Sequence, residues 1–321
     1  MLIKNLCEGQ KSNILILGGT GFIGTWLAEH FCDAGHKVYS LARNPPKTSY
    51  ENRFYFYVEG NINNGRLLEP LVEECPVIIH AAADSVPGDT IKAPLFEAYN
   101  NLLPTVALIE TLQNFENRHI FFISSGGAIY GNPETNPVSE TSPCNPISYH
   151  GACKLSLENF LFPFAYQTNN KVTIIRPSNV YGPGQRNKNG FGLIQTILSA
   201  ILIDSEFYIW GDGSIVKDYL HIRDFVIACE KILLSANQEK YVRYNVGYGK
   251  GYSINAICQI AEEITGKKIR KVHKEARIID PAEIILNTDK IRTETGWCPD
   301  IDLKEGISQV WKSLKTVMPK S

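Results

Sequence analysis

The segment NILILGGTGFIG, residues 13–24, constrains the fold more than any other part of the chain. Ile14 to Leu17 is an unbroken apolar run, as a strand buried on both faces requires. Gly18, Gly21 and Gly24 follow at a spacing of three, and FIGTWLAEHFCDAG continues with apolar residues at helical spacing up to Gly35. In a strand–glycine–helix unit the first glycine permits a tight turn. The second lets a pyrophosphate approach the backbone, and the third lets helix and strand pack closely. The helix N-terminus then offers N–H donors to phosphate. Gly18, Gly21, Phe22, Ile23 and Gly24 are therefore candidate dinucleotide-binding residues.

The runs HKVYSLAR, PVIIHAAA, RHIFFISS and KVTIIRPSNVYG read as further strands, with helical stretches between them. This alternation predicts an α/β fold: a Rossmann-type doubly wound parallel sheet with a smaller α/β C-terminal substrate lobe. The texture changes near Tyr181, where a glycine-rich loop, a strand–turn–strand and short helices follow. Residues 1–179 plus about 217–245 are expected to form the dinucleotide-binding domain, and about 180–216 plus 246–321 the substrate lobe. At 321 residues with a formal net charge of −1, nothing in the bulk electrostatics favours nucleic acid or an anionic membrane. The cysteines at 7, 32, 75, 144, 153, 229, 258 and 298 form no CxxC pair and do not cluster with histidines, so neither a metal site nor a disulfide framework is expected. With no apolar run at the N-terminus and none of about 18 residues elsewhere, a cytoplasmic protein off the membrane is expected.

The end of the second strand selects the cofactor. NAD sites place a carboxylate there for the ribose 2′-OH, whereas NADP sites avoid it and offer an arginine. The strand ends in Ala42 and Arg43, with no acid, so NADP is favoured and NAD remains possible. Asn61, with Ile62 beside it, is placed either to reach the adenine or simply to serve as a turn residue.

The motifs GGTGFIG, HAAA (80–83), NNLLPT (100–105), SSGGAIYG (124–131), YHGACK (149–154), RPSNVYGPGQ (176–185), WGDGSIVKDYLHIRD (210–224) and ARIIDPAEIILNTDKIRTETGW (276–297) occur in order along nearly the whole chain. With them the chain resembles the extended short-chain dehydrogenase/reductases, the NAD(P)-dependent nucleotide-sugar epimerase/dehydratase family of which UDP-glucose 4-epimerases are members. The resemblance implies that Ala81, Ala82 and Ala83 line the cofactor, that Asn101 supports a contact near the nicotinamide, and that Pro177 and Ser178 border its amide. It implies that Lys154 holds the nicotinamide ribose and biases the neighbouring acid/base. It places Asn179, Lys217, Arg277 and Asp280 on a nucleoside-diphosphate sugar, a ligand that needs cations and N–H donors. It also implies a homodimer.

Two positions depart from the family pattern. The usual serine or threonine falls on Gly126, with Ser125 and Ser124 just before it, and the usual tyrosine falls on His150. Residues four apart on a helix lie about 40° apart around its axis, whereas residues five apart lie about 140° apart. His150 therefore shares a face with Lys154 and Tyr149 does not. His150, Lys154, Ser125 and Tyr149 are the candidate catalytic residues, with His150 as the acid/base, titrating from an ordinary value near 6.5. The expected function is NAD(P)-dependent hydride transfer on a nucleoside-diphosphate sugar, as an epimerase or a 4-keto-sugar reductase. The alternative is a catalytically silent NADP-binding member of the family that acts through interaction.

Overall fold

The computed structural model describes residues 11–46, 50–85, 93–185, 192–276 and 281–317. Arg277 and Asp280 lie outside the described residues.

The first half of the chain alternates strand and helix: β1 (Asn13–Leu17), α1 (Phe22–Asp33), β2 (Lys37–Ala42), β3 (Tyr55–Glu59), α2 (Gly65–Glu74) and β4 (Val77–His80). Next come α3 (Pro94–Glu97), a π-helical turn (Ala98–Leu102), α4 (Leu103–Leu112), β5 (His119–Ile123), α5 (Gly126–Ile129), α6 (Tyr149–Gln167) and β6 (Lys171–Pro177). The second half holds β7 (Asn179–Tyr181), α7 (Leu193–Leu202), β8 (Glu206–Trp210), β9 (Val216–His221), α8 (Ile222–Leu233) and β10 (Tyr241–Val246). It ends with β11 (Gly251–Ser253), α9 (Ile254–Thr265), β12 (Arg270–Lys274), β13 (Glu283–Ile284), α10 (Asp289–Thr295) and α11 (Leu303–Val317).

Seven strands pair in the order β10-β6-β5-β4-β1-β2-β3, every pair parallel. Alternate residues of β1 serve the two faces. Ile14 and Ile16 pack with α1 and α8 residues such as Phe31 and Phe225, while Leu15 and Leu17 pack with Leu68, Leu108 and Leu157 from α2, α4 and α6. Strand order reverses between β1 and β4, and ligands of open α/β sheets bind at that switch point, beyond the carboxyl ends of the strands.

The smaller lobe has its own core, in which α7, β8, α9 and α11 supply Ile197, Phe207, Ile257 and Trp311. The chain passes between the two bodies repeatedly. β10 returns to the edge of the large sheet, and α10 follows it there later. Ile291 and Trp297, which the sequence places in the substrate lobe, pack instead in the core of the larger body beside Ile232 and Tyr244. Trp297 Nε1 donates to the carbonyl of Asp224 at 3.1 Å, so a short helix with one buried face finds its apolar partner on α8.

Beneath the carboxyl end of β6, Arg176 is fully buried. Its guanidinium donates to Glu158 (Nη2–Oε2 2.6 Å), to the Tyr130 hydroxyl (2.9 Å) and to the Glu140 carbonyl (3.2 Å). Ser124 Oγ donates to the same Glu158 at 2.5 Å. One ion pair thus joins α6, β6 and the turn after β5 directly below the site.

Candidate active site

A cleft of about 550 Å³ runs from the glycine loop, across the end of the large sheet, to β8 and β9 of the smaller lobe. It lies in the usual size range of a small-molecule site.

At its floor the chain is packed as tightly as the glycine spacing requires. Gly18 has φ +80°, and a side chain there would lie 2.6 Å from the Ala82 backbone. A side chain on Gly24 would lie 2.2 Å from the Gly18 carbonyl. Gly21 is the N-cap of α1, and no side chain caps this helix. Its first-turn N–H groups therefore have no intrahelical acceptor, and Gly21, Phe22 and Ile23 line the cleft. These groups fit a dinucleotide pyrophosphate. Ala81 and Ala83 line the cleft from the end of β4, and Ala82 packs under Gly18. Asn61 is exposed in the turn after β3, with the half-buried Ile62 next to it. Arg43 follows β2 and is held in a two-pronged ion pair by Asp84, Nη1–Oδ2 being 2.8 Å.

Above the floor, α6 begins at Tyr149 because the Ser148 side chain accepts the Gly151 N–H at 3.1 Å. His150 and Lys154 both line the cleft and are both buried, whereas Tyr149 is 47% exposed. Lys154 Nζ donates to the Ile123 carbonyl at 2.8 Å and lies 4.9 Å over the Phe122 ring. Burial lowers its pKa to about 8. Burial first, and then the Lys154 ammonium, lowers the His150 pKa to about 4, while Glu97 acts in the opposite direction. The imidazole is therefore neutral at pH 7, and its titration lies well below the near-neutral range that the sequence suggests. Burial is the reason, and periodicity does not reveal it.

Ser124 and Ser125 separate in role. The Ser124 hydroxyl is committed to Glu158, while Ser125 lines the cleft as the N-cap of α5 and makes no side-chain capping bond. At Gly126 a side chain would lie 2.7 Å from Leu286 Cδ1 and 3.0 Å from the Arg176 carbonyl. A serine there would have to displace packed atoms.

The far wall brings together Pro177, Ser178, Asn179 and Lys217. Asn179 Nδ2 donates to the Asp218 carbonyl at 2.9 Å, which fixes the amide against β9. Lys217 sits in β9 between Tyr252 of β11 and Ile284 of β13.

Two residues at the heart of the site are absent from the sequence reading. Ser85 Oγ lies 3.1 Å from His150 Nδ1, and a Glu97 carboxylate oxygen lies 3.9 Å from the same nitrogen. Asn101 ties them together. Its Nδ2 donates to Ser85 Oγ at 3.0 Å and to Glu97 Oε2 at 2.8 Å, while its Oδ1 accepts the Asp84 N–H at 2.8 Å. The one available signal was spacing, since Glu97 is four residues before Asn101 and so shares its helical face.

Residues 14–247 match the NAD dependent epimerase/dehydratase family. The chain is a member of that family. It is an enzyme of the extended short-chain dehydrogenase/reductase type with a Rossmann-like fold. It is 31% identical to a UDP-glucose 4-epimerase of Mycolicibacterium smegmatis, over 92% of this chain and 96% of that one. A crystal structure of UDP-glucose 4-epimerase with UDP-glucose, from Thermotoga maritima, superposes with a TM-score of 0.88 at 30% identity, covering 95% of this chain and 99% of that one. The UDP-glucose 4-epimerase of Thermus thermophilus in complex with NAD gives 0.88 at 25% identity, covering 95% and 100%.

Proposed function

We propose that the protein is a UDP-hexose 4-epimerase that uses a nicotinamide dinucleotide, with His150 as the acid/base. The observation that carries this reading is the meeting, in one cleft, of the glycine loop, the His150–Lys154 pair and the Asn179–Lys217 wall. The UDP-glucose 4-epimerases among its relatives support the substrate class.

When bound, the dinucleotide supplies a reversible hydride acceptor at its nicotinamide. The chain supplies the rest. Gly21, Phe22 and Ile23 offer N–H groups to phosphate. Lys154 keeps a positive charge beneath the site, which disfavours protonated His150. His150 Nε2 makes no hydrogen bond among the described residues, and from the cleft wall it can take the proton of a sugar hydroxyl and later return it. Asn179, Lys217, Arg277 and Asp280 are assigned to the nucleoside diphosphate; a diphosphate needs the cations among them, and an amide can donate to it. Incubation with UDP-glucose and either cofactor should yield UDP-galactose by anion-exchange chromatography. If wild-type protein shows no interconversion of any UDP-hexose, the reading fails.

For the cofactor we infer a preference for NADP. β2 ends at Ala42 without a carboxylate and Arg43 follows, so a 2′-phosphate would compete with Asp84 for the guanidinium. We also infer a homodimer. Leu95, Tyr99 and Leu103, spaced four apart along the run from α3 to α4, are 68%, 64% and 51% exposed. An exposed apolar stripe of this kind would be buried if a second copy packed on it about a twofold axis. Light scattering should give a dimer mass for the wild type and a monomer mass for Leu103→Glu.

A further inference from the structure

Glu97 is 3% exposed, and acidic side chains are almost never this buried unless paired. It stands at the C-terminus of α3, immediately before the π-helical turn in which the Leu103 N–H reaches back to the Ala98 carbonyl. Turns of this kind recur at functional sites. One carboxylate oxygen takes a hydrogen of Asn101, and the other lies 3.9 Å from His150 Nδ1.

The orientation of Asn101 is fixed by its partners. Its oxygen must accept from the Asp84 backbone N–H, so its two amide hydrogens go to Ser85 and Glu97. Ser85 Oγ therefore already accepts one hydrogen bond and keeps a second lone pair toward His150 Nδ1, 3.1 Å away. Two tautomers of neutral His150 satisfy this contact. Only the one with hydrogen on Nδ1 places that hydrogen toward the carboxylate and leaves the Nε2 lone pair for a substrate.

We propose that Glu97 is the carboxylate partner of His150: a positioning residue that holds the imidazole with Nδ1–H toward Ser85 and Glu97 and Nε2 toward the cleft, and that stabilises the imidazolium formed when Nε2 takes a proton. The proposal rests on the reading of His150 as the acid/base. In the step concerned, the sugar O–H bond breaks and an Nε2–H bond forms. The oxygen electron pair becomes the second bond of the carbonyl as the carbon gives its hydride to the bound nicotinamide dinucleotide. The new positive charge then faces the Glu97 carboxylate, and the return of the proton reverses each change. Among the described residues, the charged groups facing His150 are Lys154, from its own helix, and Glu97, from the opposite one. The neighbouring Cys153 is a neutral thiol, its pKa pushed up to about 11 by burial. Lys154 opposes protonation and Glu97 favours it, so this pair of residues makes the imidazole a base that can still carry the proton.

The test uses full-length protein labelled with ¹⁵N-histidine, without cofactor, with the His150 resonances assigned by comparison with His150→Ala. At pH 7 the wild type should show a pyrrole-type Nδ1 and a pyridine-type Nε2. Glu97→Gln should shift the ring toward the other tautomer and lower its ionisation midpoint. The same variant should lower kcat by about 10- to 10³-fold, a smaller loss than the roughly 10²–10⁴ expected when acid–base catalysis is removed altogether. KM and cofactor affinity should change little. Glu97→Asp retracts the charge by one bond and should fall between the two. An unchanged tautomer and midpoint in Glu97→Gln, or in Glu97→Asp if the glutamine variant does not fold, overturns the proposal. Undiminished turnover in His150→Ala would instead overturn the acid/base reading, without altering what the tautomer measurement says of Glu97.

Discussion

Tyr149 and His150 are neighbours in sequence and opposites in environment. The tyrosine is half exposed on the first turn of α6, while the histidine is buried beside Ser85 and Lys154. If His150 moves the proton, His150→Ala should lower kcat by about 10²–10⁴ with cofactor affinity intact. Tyr149→Phe should stay near wild type, and steady-state kinetics with calorimetric cofactor titration checks both. The pH profile follows from the signs of the shifts. His150 must be neutral to act as a base, and its pKa is lowered to about 4, so activity should fall only as pH drops through that value. Lys154, lowered to about 8, loses its charge as pH rises past that value and should set the alkaline limb. An acid limb near 6.5 that vanishes in His150→Ala would contradict the burial argument. At the other end of the cleft, Arg43→Ala should weaken NADP binding by about 10- to 100-fold, the range for one or two lost charge-assisted hydrogen bonds, and leave NAD binding nearly unchanged. Equal losses for both cofactors in calorimetry would remove Arg43 from the 2′-phosphate.

α6 shows how an element delivers these residues. Ser148 stops the helix one residue before Tyr149 by accepting the Gly151 N–H, and that start fixes which side chains face Lys154. Ser148→Ala should cost about 1 kcal/mol of stability in urea unfolding, the usual cost of a lost N-cap. The β1–α1 unit was legible because the tight turn and the approach of Gly24 to the Gly18 carbonyl are set within seven residues, although the Ala82 backbone that crowds Gly18 comes from a distant part of the chain. The phase of α6 was legible because helical geometry alone separates His150 from Tyr149. The Glu97–His150 contact was not, since it joins elements 53 residues apart through an asparagine whose orientation only the folded backbone sets. The π-helical turn was also hidden, as was the return of α10 to the large core, because a seven-residue helix carries too little periodicity to name its partner. Arg176 shows the same limit. In sequence it is the arginine ending an apolar strand; in the structure it is the buried centre that joins α6, β6 and the turn after β5. Arg176→Met leaves Glu158 buried without its partner and should destabilise the protein by about 3–5 kcal/mol.

Across the whole molecule, burial has been imposed on histidines well beyond the active site. His80 is lowered to about 3, His150 and His221 to about 4, and His119 well below its ordinary value; desolvation is the first cause in each. Each regains a pKa near 6.5 when the chain unfolds, so between about 6.5 and 4 the unfolded state binds more protons than the folded one. A group with a lowered folded pKa of this kind favours folding at higher pH, and that contribution is lost as pH falls through the window. Asp218 and Asp224, raised by burial, act in the opposite sense from a starting point near 4. The histidine contribution can be isolated at His119, which lies in β5 with Nε2 2.8 Å from Thr173 Oγ1 and does not line the cleft. Stability from urea unfolding should decline as pH falls from 7 to 5. In His119→Gln the slope should be shallower by up to about 1.4 kcal/mol per pH unit, the effect of one proton, whatever the variant's absolute stability. A slope identical to wild type would mean that His119 is protonated in the folded protein, and that its place between β4 and β6 is more open to water than the packing indicates.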